Sequence, residues 1–235
     1  MDKKTILAIG AHPDDMDFGA SGTVAKWVEE GAKAYYIIAT DGSKGSSDPQ
    51  MTSERLIKIR QEEQKKAGQI LGLSDIFFLN HPDTELTADK ILKEEIVKII
   101  RTIKPTTVIT MNPTFYYSAA TEPGFVNHTD HRNIGLAVMD AVFPMARDRL
   151  TFPQHEAEGL TPWKVKELLL VNFTTPEYLV DISSSFNKKV EALRAHTSQF
   201  DDFDEVLQRI TARSETFGKS KGYKHAENFT RIVLP

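Results

Sequence analysis

Five short apolar runs punctuate the chain, at residues 5–10, 34–40, 76–79, 106–111 and 168–173, each rich in β-branched or aromatic side chains. Between them lie longer stretches whose apolar positions recur at helical spacing, near 19–30, 52–71, 88–103 and 130–142. A run that is apolar throughout, without alternation, belongs to a strand buried on both faces. Such strands separated by helices predict βαβ units, and so an α/β fold with a mostly parallel sheet covered on both sides. Ligands in these sheets gather beyond the C-terminal ends of the strands, which is where a site is expected.

The rest of the pattern is less regular. Residues 112–127 form a long connection holding two prolines, a glycine and the aromatics Phe115, Tyr116, Tyr117 and Phe125. A connection of that length is usually functional or disordered. Residues 143–163 read as a second insertion. Two further helices are expected near 184–197 and 202–216, with an extended run at 229–234 closing the chain. No linker interrupts the pattern, so 1–235 reads as one domain, and 235 residues suit one sizeable α/β core.

Composition adds three constraints. A net charge of -4 argues against a nucleic-acid partner, which would favour a basic excess. With no cysteine, any metal must be held by His, Asp or Glu. The opening Met1-Asp2-Lys3-Lys4-Thr5 lacks the apolar segment of a signal peptide, and no stretch approaches the roughly 18–20 apolar residues of a membrane span. A soluble, cytoplasmic protein without a membrane partner is the expectation.

The first strand ends directly in Ala11-His12-Pro13-Asp14-Asp15, at the turn where this fold class places a ligand. The turn lacks Gly-x-Gly-x-x-Gly, and two carboxylates there would repel a pyrophosphate. The plain alternative is an aspartate capping the next helix beside an ordinary histidine. Three ionisable groups crowded at a strand mouth favour a metal, which offsets the cost of placing them together. His12 and Asp15 would then be ligands, leaving Asp14 free as a base.

A catalytic metal site takes a third protein ligand. The candidate segment is Asn127-His128-Thr129-Asp130-His131-Arg132, again after a strand and at a helix start. His131 shares a helical stripe with Ile134, Gly135, Val138 and Val142 and should point inward. His128 falls one turn earlier, with Thr129 or Asp130 as the expected cap. In the helix at 52–71, Arg60 and Glu63 interrupt the apolar stripe; they pair with each other or Arg60 reaches ligand or catalytic carboxylates. Lys189 and His196 share a face with Phe186, Leu193 and Phe200, and there a buried, satisfied histidine is the commoner explanation.

Ala-His-Pro-Asp-Asp, followed by His-Thr-Asp-His-Arg, resembles the LmbE-like family, also called PIG-L deacetylases. Further matches are Ile59 to Glu63 leading to Ala67, Lys189 through Ala192 to His196-Thr197-Ser198-Gln199, and Ala226-Glu227-Asn228-Phe229. The resemblance spans nearly the whole chain. It implies a Rossmann-like α/β fold and zinc-dependent removal of the acetyl group from a small N-acetyl amino sugar or its conjugate, of the N-acetylglucosamine type. Other divalent transition metals remain open, since His and Asp serve them too. By the same resemblance His12, Asp15 and His131 are the metal ligands and Asp14 is the general base. His128 stabilises the oxyanion or protonates the leaving amine, Asp130 supports the site, and Asp83 contacts the sugar. Arg60 is a candidate for the substrate side. A homo-oligomer is expected by analogy with related enzymes. The sequence departs from the family at Met16, where Glu is common, and at Thr129, where Pro is usual. Two rival readings are a metal-dependent phosphoesterase and a non-catalytic sugar- or nucleotide-binding module on a related fold.

Overall fold

The computed structural model describes residues 4–119 and 124–235. In chain order the elements are β1 (Thr5–Gly10), α1 (Asp15–Gly19), α2 (Ser21–Glu29), β2 (Lys33–Thr40), α3 (Ser53–Leu71), β3 (Asp75–His81), α4 (Lys90–Ile103) and β4 (Thr107–Met111). A short hairpin follows, β5 (Tyr117–Ser118) with β6 (Phe125–Val126), and then α5 (Thr129–Asp140) and α6 (Gln154–Ala157). The chain closes with β7 (Glu167–Val171), β8 (Tyr178–Asp181), α7 (Phe186–Arg194), α8 (Phe203–Lys219) and β9 (Ala226–Val233).

Seven strands form one sheet in the order β3-β2-β1-β4-β7-β9-β8, with only β9 running against its neighbours. The α/β, mostly parallel, Rossmann-like expectation holds. The central strands β1 and β4 are almost wholly buried, as runs without alternation require. Helix ends are set by local chemistry: Thr52 accepts the Arg55 amide at the start of α3, Asp89 accepts the Leu92 amide at the start of α4, and Gly72 takes φ 74° to end α3. Among the described residues no helix is long and apolar enough to cross a membrane.

The structure differs from the sequence reading in four places. The helix expected at 19–30 begins earlier and breaks at Ala20 into α1 and α2. Gly19 and Gly22 explain the close packing there: a Cβ on either would sit 2.9 Å from Val171 or 2.7 Å from Ile182. The helix read as 130–142 ends at Asp140, and a wider turn, Ala141–Met145, carries Pro144. Strand β8 went unseen because its partner is β9, nearly fifty residues later, and four residues carry little pattern of their own. The 143–163 insertion wraps around one buried cation. Arg101 donates to the carbonyls of Met145, Ala146, Asp148, Thr151 and Phe152, tying the successive turns of the segment to one side chain. Of the 112–127 connection, residues 120–123 lie outside the described residues, and the described remainder includes the β5–β6 hairpin.

Candidate metal and catalytic site

The parallel register sets β1 and β4 side by side, Ile9 opposite Thr110, so the loops that follow them open at the same height. His12 to Asp15 come from the first loop, and His128 to His131 from the segment that re-enters as α5. Residues 119 positions apart in sequence therefore meet: His12 Nδ1 lies 3.2 Å from His131 Nε2. Asp15 Oδ1 is 2.9 Å from His131 Nε2, and Asp15 Oδ2 is 3.6 Å from His12 Nδ1. Donors around a tetrahedral ion with bonds of about 2.0–2.1 Å stand roughly 3.3–3.4 Å apart. The separations among the three side chains, 2.9–3.6 Å through the two Asp15 oxygens, bracket that value. Asp15 Oδ2 also accepts the Ala11 and His12 amides, both at 2.8 Å, which locks its orientation.

The far sides of both imidazoles are held. His12 Nε2 meets Asp83 Oδ1 at 3.2 Å and Asp130 Oδ2 at 3.3 Å, while His131 Nδ1 meets Asn127 Oδ1 at 3.0 Å. Metal-bound histidines are commonly oriented in this way by a carboxylate or carbonyl on the second nitrogen. Asp130 is fully buried and accepts the Thr84 and Leu86 amides, at 2.7 and 3.3 Å, tying the loop after β3 to α5. Asp83 Oδ2 accepts the Lys44 amide at 3.1 Å.

Electrostatics point the same way. Burial opposes a charge on His12, yet Asp130, Asp15 and Asp83 together push it up to about 12. Burial works against Asp15 too, but His131 and His12 hold it well below the usual carboxylate range. Three carboxylates, of Asp15, Asp83 and Asp130, surround the His12 and His131 rings, the donor chemistry that a divalent cation takes. The donor set therefore fits a metal. Histidines 12, 128 and 131 also place a nitrogen each within 4.8 Å of one another, as do the donors of His12, Asp83, His128 and Asp130.

Asp14 stands beside this group without joining it. Its backbone takes φ 85°, a left-handed conformation costly for a residue other than glycine. Gln64 holds it there: Gln64 Oε1 accepts the Asp14 amide at 2.9 Å. Gln64 Nε2 in turn donates to Asp17 Oδ2 at 2.9 Å, and His196 Nε2 contacts the same oxygen at 2.8 Å. Burial pushes the Asp14 carboxyl up to about 6, with Arg60 pulling against it. Arg60 Nη2 lies 3.6 Å from Asp14 Oδ2 and donates to the Pro13 carbonyl at 3.0 Å.

Of the two readings of Arg60 and Glu63, the pair is not made and Arg60 reaches the Asp14 carboxylate. Glu63 instead accepts Thr197 Oγ1 (2.8 Å), Ser198 N (2.7 Å) and Ser198 Oγ (2.7 Å), anchoring the turn after α7. Neither Thr129 nor Asp130 caps α5. His128 does so itself, its Nδ1 accepting the Asp130 amide at 3.2 Å. That bond leaves the proton on Nε2, and burial followed by the neighbouring His12 lowers the pKa of the ring. His128 is thus a neutral Nε2–H donor, with its ring centroid 4.8 Å from that of His12.

All eight site residues read from sequence converge on these loops. Gln64, Asn127 and Asp17 were not singled out. A buried glutamine on the stripe of Arg60 and Ala67 was the only available signal, and it names no partner.

The sequence profile of the GlcNAc-PI de-N-acetylase family, PIG-L, matches residues 7–142. Diacetylchitobiose deacetylase of Thermococcus kodakarensis is 32% identical over 231 residues, 96% of this chain and 82% of that protein. A probable N-acetyl-alpha-D-glucosaminyl L-malate deacetylase 2 of Bacillus anthracis is 30% identical over 84% of this chain and 82% of that protein. The solved structure of N,N'-diacetylchitobiose deacetylase from Pyrococcus horikoshii, in complex with an inhibitor, superposes with a TM-score of 0.89 at 28% identity. It covers 99% of this chain and 85% of that one.

Proposed function

Since the chain belongs to the PIG-L family of de-N-acetylases, we propose that it is a zinc-dependent hydrolase that removes the acetyl group from an N-acetylglucosamine-containing saccharide. One observation carries the reading: two imidazole nitrogens and a carboxylate at mutual distances of 2.9–3.6 Å, with an uncommitted aspartate next in sequence. Two histidines and one aspartate suit zinc with a coordination position left open, although the same donors serve other divalent metals. When bound, the cation supplies Lewis acidity, lowering the pKa of a water and polarising the acetyl carbonyl.

His12, Asp15 and His131 would hold the cation, and Asp83 and Asp130 fix the His12 ring. Asp14 accepts the proton of the attacking water on its carboxylate, which Arg60 approaches at Oδ2. A carboxyl lifted to about 6 by burial is a far stronger base than an exposed aspartate, yet still ionised at neutral pH. His128 donates its Nε2 proton as a hydrogen bond to the carbonyl oxygen as charge develops there. Asp14 then returns its proton to the departing amine. Arg60 keeps the Asp14 carboxylate oriented, and Asp83 borders the place where the sugar would lie.

The test is amine release from N-acetylglucosamine and N,N'-diacetylchitobiose by the zinc-loaded protein, before and after chelation. Asp14→Asn should retain about one zinc per chain while losing ~10²–10⁴ of the rate. A fully loaded protein that releases no amine from any N-acetylated saccharide would sink the assignment. Phosphatase activity with two metals per chain would favour the phosphoesterase instead.

A further inference from the structure

The sheet carries a second opening beside the metal loops. Beyond β4 and β7 lies a cavity of about 260 Å³, walled by Asn112, Phe115, Asn172, Phe173, Thr174 and Glu177 among others. We propose that this cavity is the subsite for the sugar ring joined to the one that loses its acetyl group, and that it selects a neutral or cationic ring over an acidic appendage. The proposal rests on the deacetylase reading above and adds to it which conjugate the enzyme prefers.

Position comes from register. Ile9 pairs with Thr110 and Thr110 with Leu170, so the loops following β1, β4 and β7 emerge level with one another. Adjacent strands lie about 4.7–4.9 Å apart, which places the cavity roughly 5–10 Å sideways from the His12 loop. That is the reach of one glycosidically linked ring from the next. A direct connection also exists: Asn127 Nδ2 donates to the Phe115 carbonyl at 2.8 Å, while Asn127 Oδ1 contacts His131 Nδ1 at 3.0 Å. One amide therefore fixes both a wall of the cavity and a proposed metal ligand.

The lining is preformed and chemically apt. Both strands end in the same turn: Asn112 Oδ1 accepts the Thr114 amide (2.9 Å) and hydroxyl (2.8 Å), and Asn172 Oδ1 accepts those of Thr174 (2.9 and 3.0 Å). Asn172 Nδ2 donates to Glu177 Oε1 at 3.1 Å. Asn112 Nδ2 has no protein partner among the described residues and is free to donate to a sugar hydroxyl. Phe115 and Phe173 border the cavity, but its exposed lining is mainly polar, suited to sugar hydroxyls. No Lys, Arg or His is among the described lining residues, and Glu177 is the one ionised group. Arg213 packs its guanidinium 4.7 Å from the Phe173 ring centroid and, with Lys189, lines a smaller neighbouring cavity that shares the walls Asn172 and Phe173. An appended dicarboxylate would face the Glu177 carboxylate with no cation in the lining itself, which disfavours it. A neutral hexosamine, or one already carrying a free ammonium, meets no such penalty.

The experiment compares kcat/KM of the zinc-loaded full chain on N-acetylglucosamine, N,N'-diacetylchitobiose and an N-acetylglucosaminyl malate conjugate. The variants are Glu177→Gln, Glu177→Lys and Asn112→Asp. Glu177 is an exposed side chain, and turnover of the monosaccharide serves as the folding control. Asn112→Asp, which removes the donor aimed at the ring, should lower the disaccharide value about tenfold, the loss of one well-placed hydrogen bond. The monosaccharide should stay within about twofold, and Glu177→Lys should raise the malate conjugate. If the disaccharide-to-monosaccharide ratio is unmoved, or the wild type prefers the malate conjugate, the subsite is refuted while the deacetylase reading stands. If wild type releases amine from none of the three, both fall together.

Discussion

Replacing Lys189 with methionine tests how the catalytic turn is held in place. Lys189 is 3% exposed, and its Nζ donates to the Asp17 carbonyl (3.0 Å), the Phe18 carbonyl (2.7 Å) and Glu227 Oε1 (2.6 Å). Glu227 also accepts the Gly22 and Thr23 amides, at 3.0 and 2.7 Å, capping the first turn of α2. Lys189 thus joins the residues just after Asp14-Asp15 to the far end of the sheet. Methionine keeps the stem volume but leaves the Glu227 charge with two amides and no cation. Breaking a buried pair from one side costs about 3–5 kcal/mol. The helix N-terminus that Glu227 still touches offsets up to ~2 kcal/mol, whereas the stranded Phe18 carbonyl adds ~1–3 kcal/mol. The net loss is again about 3–5 kcal/mol, which for a chain of this size lowers Tm by roughly 6–20 °C. Calorimetry of wild type, Lys189→Met and Lys189→Met/Glu227→Gln would measure it. The double variant should recover a substantial part of the loss, because no isolated charge remains. A single-variant Tm within 2 °C of wild type (about 1 kcal/mol or less), or a double variant no better than the single, would refute the argument.

Other expectations follow from the same contacts. Gln64→Leu strands the Asp14 amide and removes a donor from Asp17; kcat should fall about tenfold or more with zinc content unchanged, as measured by metal analysis beside steady-state kinetics. Arg101→Met should cost about 3 kcal/mol or more and expose 141–155 to early proteolysis, because five carbonyls lose their common donor. His225 is stacked on Phe186 at 3.8 Å, and burial, with Lys224 beside it, lowers its pKa. The unfolded chain therefore takes up a proton near pH 6.5 that the folded protein refuses until lower pH. Stability is lost as pH falls below about 6.5, and His225→Phe should flatten that decline in denaturant titrations at pH 7, 6 and 5.

Much of this molecule was legible in one dimension. The runs that became β1, β2, β4 and β7 are apolar without alternation, and α3 and α4 carry both a helical stripe and their own Thr52 and Asp89 caps. Local signals of that kind act within a few residues. The two histidine–aspartate motifs were readable for the same reason: each is a compact chemical cluster at a strand mouth.

Tertiary structure decided what those clusters do to one another. Arg60 turned to Asp14 and Glu63 to the turn at Thr197–Gln199, although helical spacing allowed them to pair. His128 capped its own helix, which set its tautomer, and Gln64 became the prop of a left-handed aspartate. Strand β8 and the break between α1 and α2 depend on β9, Val171 and Ile182. The His128 cap apart, each outcome is a choice among partners tens of residues or more away along the chain. Periodicity and propensity carry no information about such partners until the sheet order has been fixed.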